Sequence, residues 1–179
     1  MGLDMMLEAE KFIGFNSEET AREIEDLFSF GLRPRKVVFE VMYWRKANAI
    51  HAWFVEYVQN GVDDCGRYWV PMNSLVALRD TIKRVLESTK TVPGKVCNGY
   101  TMKDGEMVPV MEDGEVVEDP GLAEELLPTQ SGFFFGGTNY DQYYWQDLKV
   151  TLEVLEDLIH KHDTDANFNA LSFYYSSSW

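Results

Sequence analysis

Cysteine is scarce in this chain. Its 179 residues hold two, Cys65 and Cys97, too few for a disulfide scaffold and suited to a reducing cytoplasm. Long apolar runs are absent as well: no stretch approaches the roughly 18 residues that a bilayer span needs. Basic residues are outnumbered, with 16 Lys and Arg against 30 Asp and Glu, a net charge of −14. That balance disfavours nucleic acid, whose binding draws on Lys and Arg to release counterions, and it disfavours an anionic membrane. The opening MGLDMMLEAEKF has no basic stretch leading into an apolar core, so no signal peptide is expected, and Met6 stands where a myristoylation signal wants Ser or Thr. Neither a Walker loop, a dinucleotide fingerprint nor a C-x-x-C pair occurs, so no cofactor and no metal are expected. No nucleophile elbow surrounds Ser131 or Cys65. What is present is a 45% apolar composition, enough to bury a core. The expectation is a single domain over 1–179.

In chain order, Leu3, Met5, Leu7 and Ala9 alternate with Asp4, Met6, Glu8 and Glu10, the period of a half-buried strand. Asn16 and Glu19 make a capping-box pattern for a short helix burying Ala21, Ile24, Leu27 and Phe28, ended by Gly31 and Pro34. From Val38 to Val58, apolar residues recur every three or four positions: Phe39, Tyr43, Ala47, Ile50, Phe54 and Tyr57. That spacing predicts a central helix of about six turns, closed by Asn60-Gly61. Tyr68 to Val70 is a brief extended piece. Leu75, Leu78, Ile82 and Val85 mark a helix broken by Val92-Pro93-Gly94. Lys103-Asp104-Gly105-Glu106 and Glu112-Asp113-Gly114-Glu115 are near-copies of one turn and predict three small strands, around 98–102, 107–111 and 115–118. Thr101 to Glu125 holds nine acids against Lys103, a net of 1 − 9 = −8, so this insertion over 98–120 should stand outward as an acidic, weakly held flap. Leu122 to Leu127 suggests one or two helical turns. Thr138 with Asp141 opens a helix carrying Tyr144, Leu148, Leu152, Leu155 and Ile159. Leu171, Phe173 and Tyr175 alternate as a last strand, the natural partner of the first. The fold class expected is α+β, mainly helical, with a small antiparallel sheet of the two terminal strands and the hairpin insertion.

Three stretches carry candidate chemistry. In SGFFFGGTNYD, residues 131–141, three glycines let a ligand approach the main chain, and the loop enters a helix whose free N–H groups favour an anion. Ser131, Gly132, Phe134, Gly136, Thr138 and Tyr140 are its candidate ligands. Three successive phenylalanines cannot share one side of an extended segment, so at least one faces away from the core, where a base would stack. The structural alternative is a Gly-rich connection filling the core. The second candidate is the row Trp44, Asn48 and His51 with Arg45. Arg45 suits a phosphate or carboxylate, Asn48 a base edge or amide, and His51 proton transfer or ligation. The alternative is a satisfied core histidine and an arginine paired to an acid. The third is Asp63-Asp64-Cys65-Gly66, where Asp63 or Asp64 would assist His51 in hydrolysis, or would serve as a turn residue.

The start MGLDM, the run YWRKANAIHAWFV at 43–55, DDCG at 63–66 followed by YWV, the run LLPTQSGFFFGGTNYDQYYWQDL at 126–148 and the ending FYYSSSW together resemble a family of small uncharacterised proteins carried by phages and prophages. The resemblance implies a setting, the cytoplasm of an infected bacterial cell, and a role in phage–host conflict. It implies no reaction.

Three functions are therefore weighed. The first is binding of a small, anionic, nucleotide-like ligand, such as a sequestered host signal, at Trp44, Arg45, Asn48, His51 and Asp64 together with the 131–141 loop. The second is an acidic interaction protein that blocks a host protein. The third is a hydrolase using His51 with Asp63 or Asp64.

Overall fold

The computed structural model describes residues 2–14, 18–28 and 30–179, the side chains of Glu18 and Phe28 excepted. The strand β1 (Asp4–Phe12) is the centre of an antiparallel four-stranded sheet. It lies between β2 (Lys36–Arg45) and the C-terminal β6 (Ser172–Ser178), and β3 (Arg67–Val70) completes the order β2-β1-β6-β3. Leu3, Met5 and Leu7 are fully buried and Ala9 nearly so. Burial of each large side chain contributes about 2 kcal/mol. A one-residue slip would exchange them for Met6, Glu8 and Glu10, so the register is strongly specified. Trp44, Met42, Phe39, Phe173 and Tyr175 lie on the same face by their pairings with β1.

Two helices pack on that face. The ring of Phe54, in α2 (Asn48–Tyr57), stacks on Tyr175 of β6 at 4.0 Å. Trp44 Nε1 of β2 donates to Thr151 Oγ1 of α5 (Gln142–Thr164) at 2.8 Å. The helix α3 (Met72–Ser88) joins the core through Leu75, Leu78, Ile82 and Val85, the four residues its periodicity predicts. The sheet's other face is polar, with Arg67 paired to Glu8 and Glu10 and lying 3.8 Å over the Tyr174 ring.

Several expectations need correction. The described residues form six helices and six strands, the strands in a four-stranded and a two-stranded sheet. The chain is α+β, but it is not mainly helical with one small sheet. The predicted helix over Val38–Val58 is in fact a strand, a tight turn and a helix. Lys36 to Arg45 is rich in β-branched and aromatic residues, which fit a pleated surface, and it satisfies its backbone against β1. Lys46 then takes a left-handed φ of 62° and turns the chain into α2. The helical spacing of Phe39, Tyr43 and Ala47 marks no shared face: Phe39 pairs with Ala9 on the inner face and Tyr43 with Met6 on the outer one, because Val41 is an extra residue at a bulge, where Leu7 faces Met42 but Glu8 faces Glu40.

The three expected small strands are two long ones, β4 (Thr91–Lys103) and β5 (Glu106–Val117), with one turn at Asp104-Gly105. Val92-Pro93-Gly94 lies within β4. Asp113-Gly114 is no turn: Gly114 pairs with Gly94, and a Cβ on Gly114 would sit 2.7 Å from Gln142 Oε1 and 2.8 Å from Val96 Cγ2. This glycine permits close approach.

In α1 (Glu18–Phe28), Ala21 is buried and Ile24 half-buried, but Leu27 is 79% exposed. The helix packs by a narrower stripe than its spacing suggests. The Asn16 cap and the Phe28 side chain lie outside the described residues. The short helix α4 (Gly121–Leu126) precedes the 131–141 loop, and α6 (Ala166–Asn169) follows α5. Asp141 itself caps α5, accepting from the amides of Tyr143 and Tyr144, so Thr138 is not the capping residue.

Candidate functional site

The helix α2 is apolar on most sides, which is the composition of a buried helix, and it carries two polar groups into the core. Asn48, its first residue, spends its amide on the glycine-rich loop. Nδ2 donates to the carbonyls of Phe135 at 3.0 Å and Gly137 at 2.8 Å, while Oδ1 accepts from the Gln130 amide at 2.9 Å. Three of the four bonds an asparagine amide can make are thereby used inside the chain. The loop closes over its own aromatic. A Cβ on Gly132 would lie 2.6 Å from the Phe135 ring, so only glycine admits that ring to the core. Gly136, at φ 90°, turns the chain away beside the Lys46 stem.

His51 follows one turn later, fully enclosed. Its Nδ1 lies 2.7 Å from Tyr175 Oη and its Nε2 3.1 Å from Asp63 Oδ2. A carboxylate only accepts, so the network assigns the ring hydrogen to Nε2 and makes the phenol the donor to Nδ1. Trp179 Nε1 donates to Asp63 Oδ1 at 3.1 Å, and the Phe135 ring stands edge-on to His51 at 5.2 Å and to Trp179 at 5.8 Å. Burial, with the Asp63 charge adding, pushes the Tyr175 phenol well above its ordinary range. With both nitrogens engaged and no exposed surface, the imidazole meets no molecule from solution. Its chemistry here is to join α2, β6 and the 63–66 loop.

The helix and the phenylalanine loop therefore do converge, but as packed, mutually bonded segments. Trp44 and Arg45 do not continue the row. Being neighbours on a strand, they face opposite sides of the sheet: Trp44 is buried against Thr151, while Arg45 pairs with Asp4 at 3.0 Å on the polar face, where Tyr43 also meets Asp4. Asp64 is separate too, accepting from the Gly66 amide and the Tyr68 hydroxyl. The carboxylate that reaches His51 is Asp63. Tyr140 Oη accepts from the Thr129 amide, and the Thr138 carbonyl accepts from the Thr129 hydroxyl. Ser131, Gly136 and Thr138 are exposed and Phe134 is half-buried. Of the three phenylalanines, Phe133 is the one turned outward, 95% exposed.

Two grooves lie elsewhere. One, of about 390 Å³, runs along Ile24, Phe30, Leu32 and Val37. The other, of about 560 Å³, opens where the inner face of β1 and β2 parts from α5 and α6. Its walls are Phe39, Val41, Val154, Leu158, Phe168 and Leu171, and Glu40, Glu153, Asp157 and Lys161 stand among them. Neither groove is lined by a residue of the 44–51 or 131–141 segments. Sequence reasoning misses the larger groove because Phe39 and Val41 were assigned to a helix. Read as a strand, they continue the apolar face of β2.

A second missed group is Asp147, a half-buried carboxyl on α5. Burial pushes it up to about 7, with the nearby Asp141 charge adding to the shift. Among the described residues, no group of three His, Cys, Asp or Glu side chains is placed to hold a metal, and no helix is long and apolar enough to cross a membrane. No family model, curated protein or solved structure matches this chain.

Proposed function

We propose that this protein binds a small organic ligand in the groove between β1–β2 and α5–α6. The observation that carries this is an open, mostly apolar cleft of about 560 Å³ beside the core. That size and lining are those of small-molecule sites. Its charged groups indicate the ligand's polarity. Asp157 is paired to Lys161 at 2.6 Å and Glu40, opposite Glu8, turns to the polar face, which leaves Glu153 as the balance and favours an apolar body bearing a cation. A second reading keeps the anionic, nucleotide-like ligand and places it on the crest of the 131–141 loop. It is supported by the outward Phe133 ring, a stacking surface, and by Lys46, a cation with no carboxylate partner among the described residues that lies against Gly136. Neither reading includes nucleic acid or a membrane, given the acidic excess. The bacterial cytoplasm implied by the phage-family resemblance is part of the same proposal.

Thermal unfolding with octyltrimethylammonium, octyl sulfate and ADP separates the readings. At a hundred times the dissociation constant a ligand adds about 2.7 kcal/mol, which for a chain of this size raises the Tm by roughly 5–10 °C. The groove reading expects that rise with the ammonium compound and its loss in Val154→Trp. The loop reading expects it with ADP and its loss in Phe133→Ser. A flat response to all three refutes both.

A further inference from the structure

We propose that the hairpin β4–β5 is a docking arm for a basic amphipathic helix of a partner protein. The proposal is independent of the groove. Residues 98 to 107 are exposed without exception, so the outer half of the hairpin rests on nothing in its own chain. The base is anchored: Val96 and Val117 are buried, and the Val117 amide donates to the Tyr140 carbonyl at 2.9 Å.

Cross-strand partners share a face. Cys97 opposes Met111, Tyr100 opposes Pro109, and Met102 opposes Met107. The bulge at Asn98-Gly99 keeps the three pairs in one stripe. Tyr100 is 64% exposed, Met102 and Met107 63% each, and Met111 50%. An arm that only needed solubility would carry polar side chains there. This one carries three methionines, whose unbranched, polarisable side chains adapt to an apolar surface brought against them.

Size and charge select the occupant. From Met107 to Met111 the stripe runs about 13 Å at the rise of a strand. Positions i to i+7 of a helix span about 10 Å, so two turns of a helix face would cover it, with apolar residues at i, i+3, i+4 and i+7. On the stripe's own side stand Asp113 and Glu115, with Asp104 in the turn, against Lys95, a net of 1 − 3 = −2, while Glu106 and Glu112 with Lys103 lie on the reverse face. Glu118, Asp119, Glu124 and Glu125 follow in the chain. A second copy of so acidic an arm would be repelled, whereas Lys and Arg flanking an apolar helix face would meet a net opposite charge.

The test uses the intact protein and a fluorescein-labelled 18-residue peptide of leucine and lysine, leucine at helical spacing, with a scrambled peptide of identical composition as control. Anisotropy should show the patterned peptide binding at least tenfold more tightly than the scrambled one, and less tightly as salt rises from 50 to 300 mM. The double variant Met102→Asp, Met107→Asp should lose at least tenfold in affinity while keeping the parent's circular dichroism and Tm, since both side chains are exposed. Tyr100→Ser serves as a second, uncharged variant and should also weaken binding. Equal binding of both peptides, or variants that bind as the parent does, would overturn the proposal. So would sedimentation showing a dimer that the double variant dissolves, since that assigns the stripe to a second copy.

Discussion

Asp147 should make the folded state weaker as the solution becomes less acidic, and removing its charge should reverse this. Its carboxyl is raised from an ordinary 3.8 to about 7 by burial first and the Asp141 charge second. The sign follows from proton linkage. Between those two values the folded protein holds a proton that the unfolded chain releases, so stability is highest below about pH 4 and falls as pH rises to 7. A shift of about three pH units corresponds to about 4 kcal/mol at 1.36 kcal/mol per unit. Water reaches a half-buried carboxyl, so the realised figure should be nearer 2 kcal/mol. Asp147→Asn keeps the shape and removes the titration. Urea unfolding of both proteins from pH 4 to pH 8 should show curves that nearly coincide at the acid end and separate by about 2 kcal/mol in favour of the variant at pH 8. Other carboxyls cancel in this comparison. Glu10, for example, is held below its ordinary value by its hydrogen bond from Lys36, and it titrates identically in both proteins. Parallel curves across the whole range would refute the assignment.

Asn48→Ala should destabilise by about 2–4 kcal/mol, because it strands the Gln130 amide and relaxes the carbonyls of Phe135 and Gly137; urea midpoints measure it. His51→Ala should cost about 3 kcal/mol through a cavity and an unpaired Tyr175 hydroxyl, and its near-ultraviolet dichroism should change with the ring cluster it leaves. Gly114→Ala should cost about 1–3 kcal/mol, since the new methyl meets Gln142 and Val96. Gly137→Ala, with nothing within 4 Å of the added carbon, should be near neutral in the same assay.

The terminal strands, α3 and α5 were legible because each obeys one period over its whole length and buries one face. The central segment was not, since two periods meet there. Phe39, Tyr43 and Ala47 have the interval of a helical stripe, yet Phe39 and Tyr43 lie on opposite faces of the sheet across the bulge at Val41, and a bulge leaves no mark in a hydropathy pattern. The hairpin was half legible. Asp104-Gly105 and Asp113-Gly114 are chemically alike, but one glycine is at φ 87° in the turn and the other gives room to Gln142, a neighbour 28 positions away. The proximity of His51 to Asp63 was expected. That a tyrosine 124 positions further on would take the other nitrogen was not visible in any local spacing.

The same contrast explains why the most conspicuous residues are the least available. Asn48 and His51 draw attention in the sequence because polar residues sit among apolar ones. Such residues survive burial only when their bonds are met within the chain, and here the partners are Gln130, Phe135, Gly137, Tyr175 and Asp63. Surfaces left open to a partner have the reverse signature. The groove walls Phe39, Val41 and Phe168 and the arm residues Tyr100, Met102 and Met107 are ordinary apolar side chains that look like core in the sequence. They stand out only when the fold leaves them uncovered. What distinguishes a binding surface in this protein is an unfilled capacity for contact, and the exposed methionine stripe with its acidic rim has more of it than the imidazole network, whose every strong donor and acceptor is already matched.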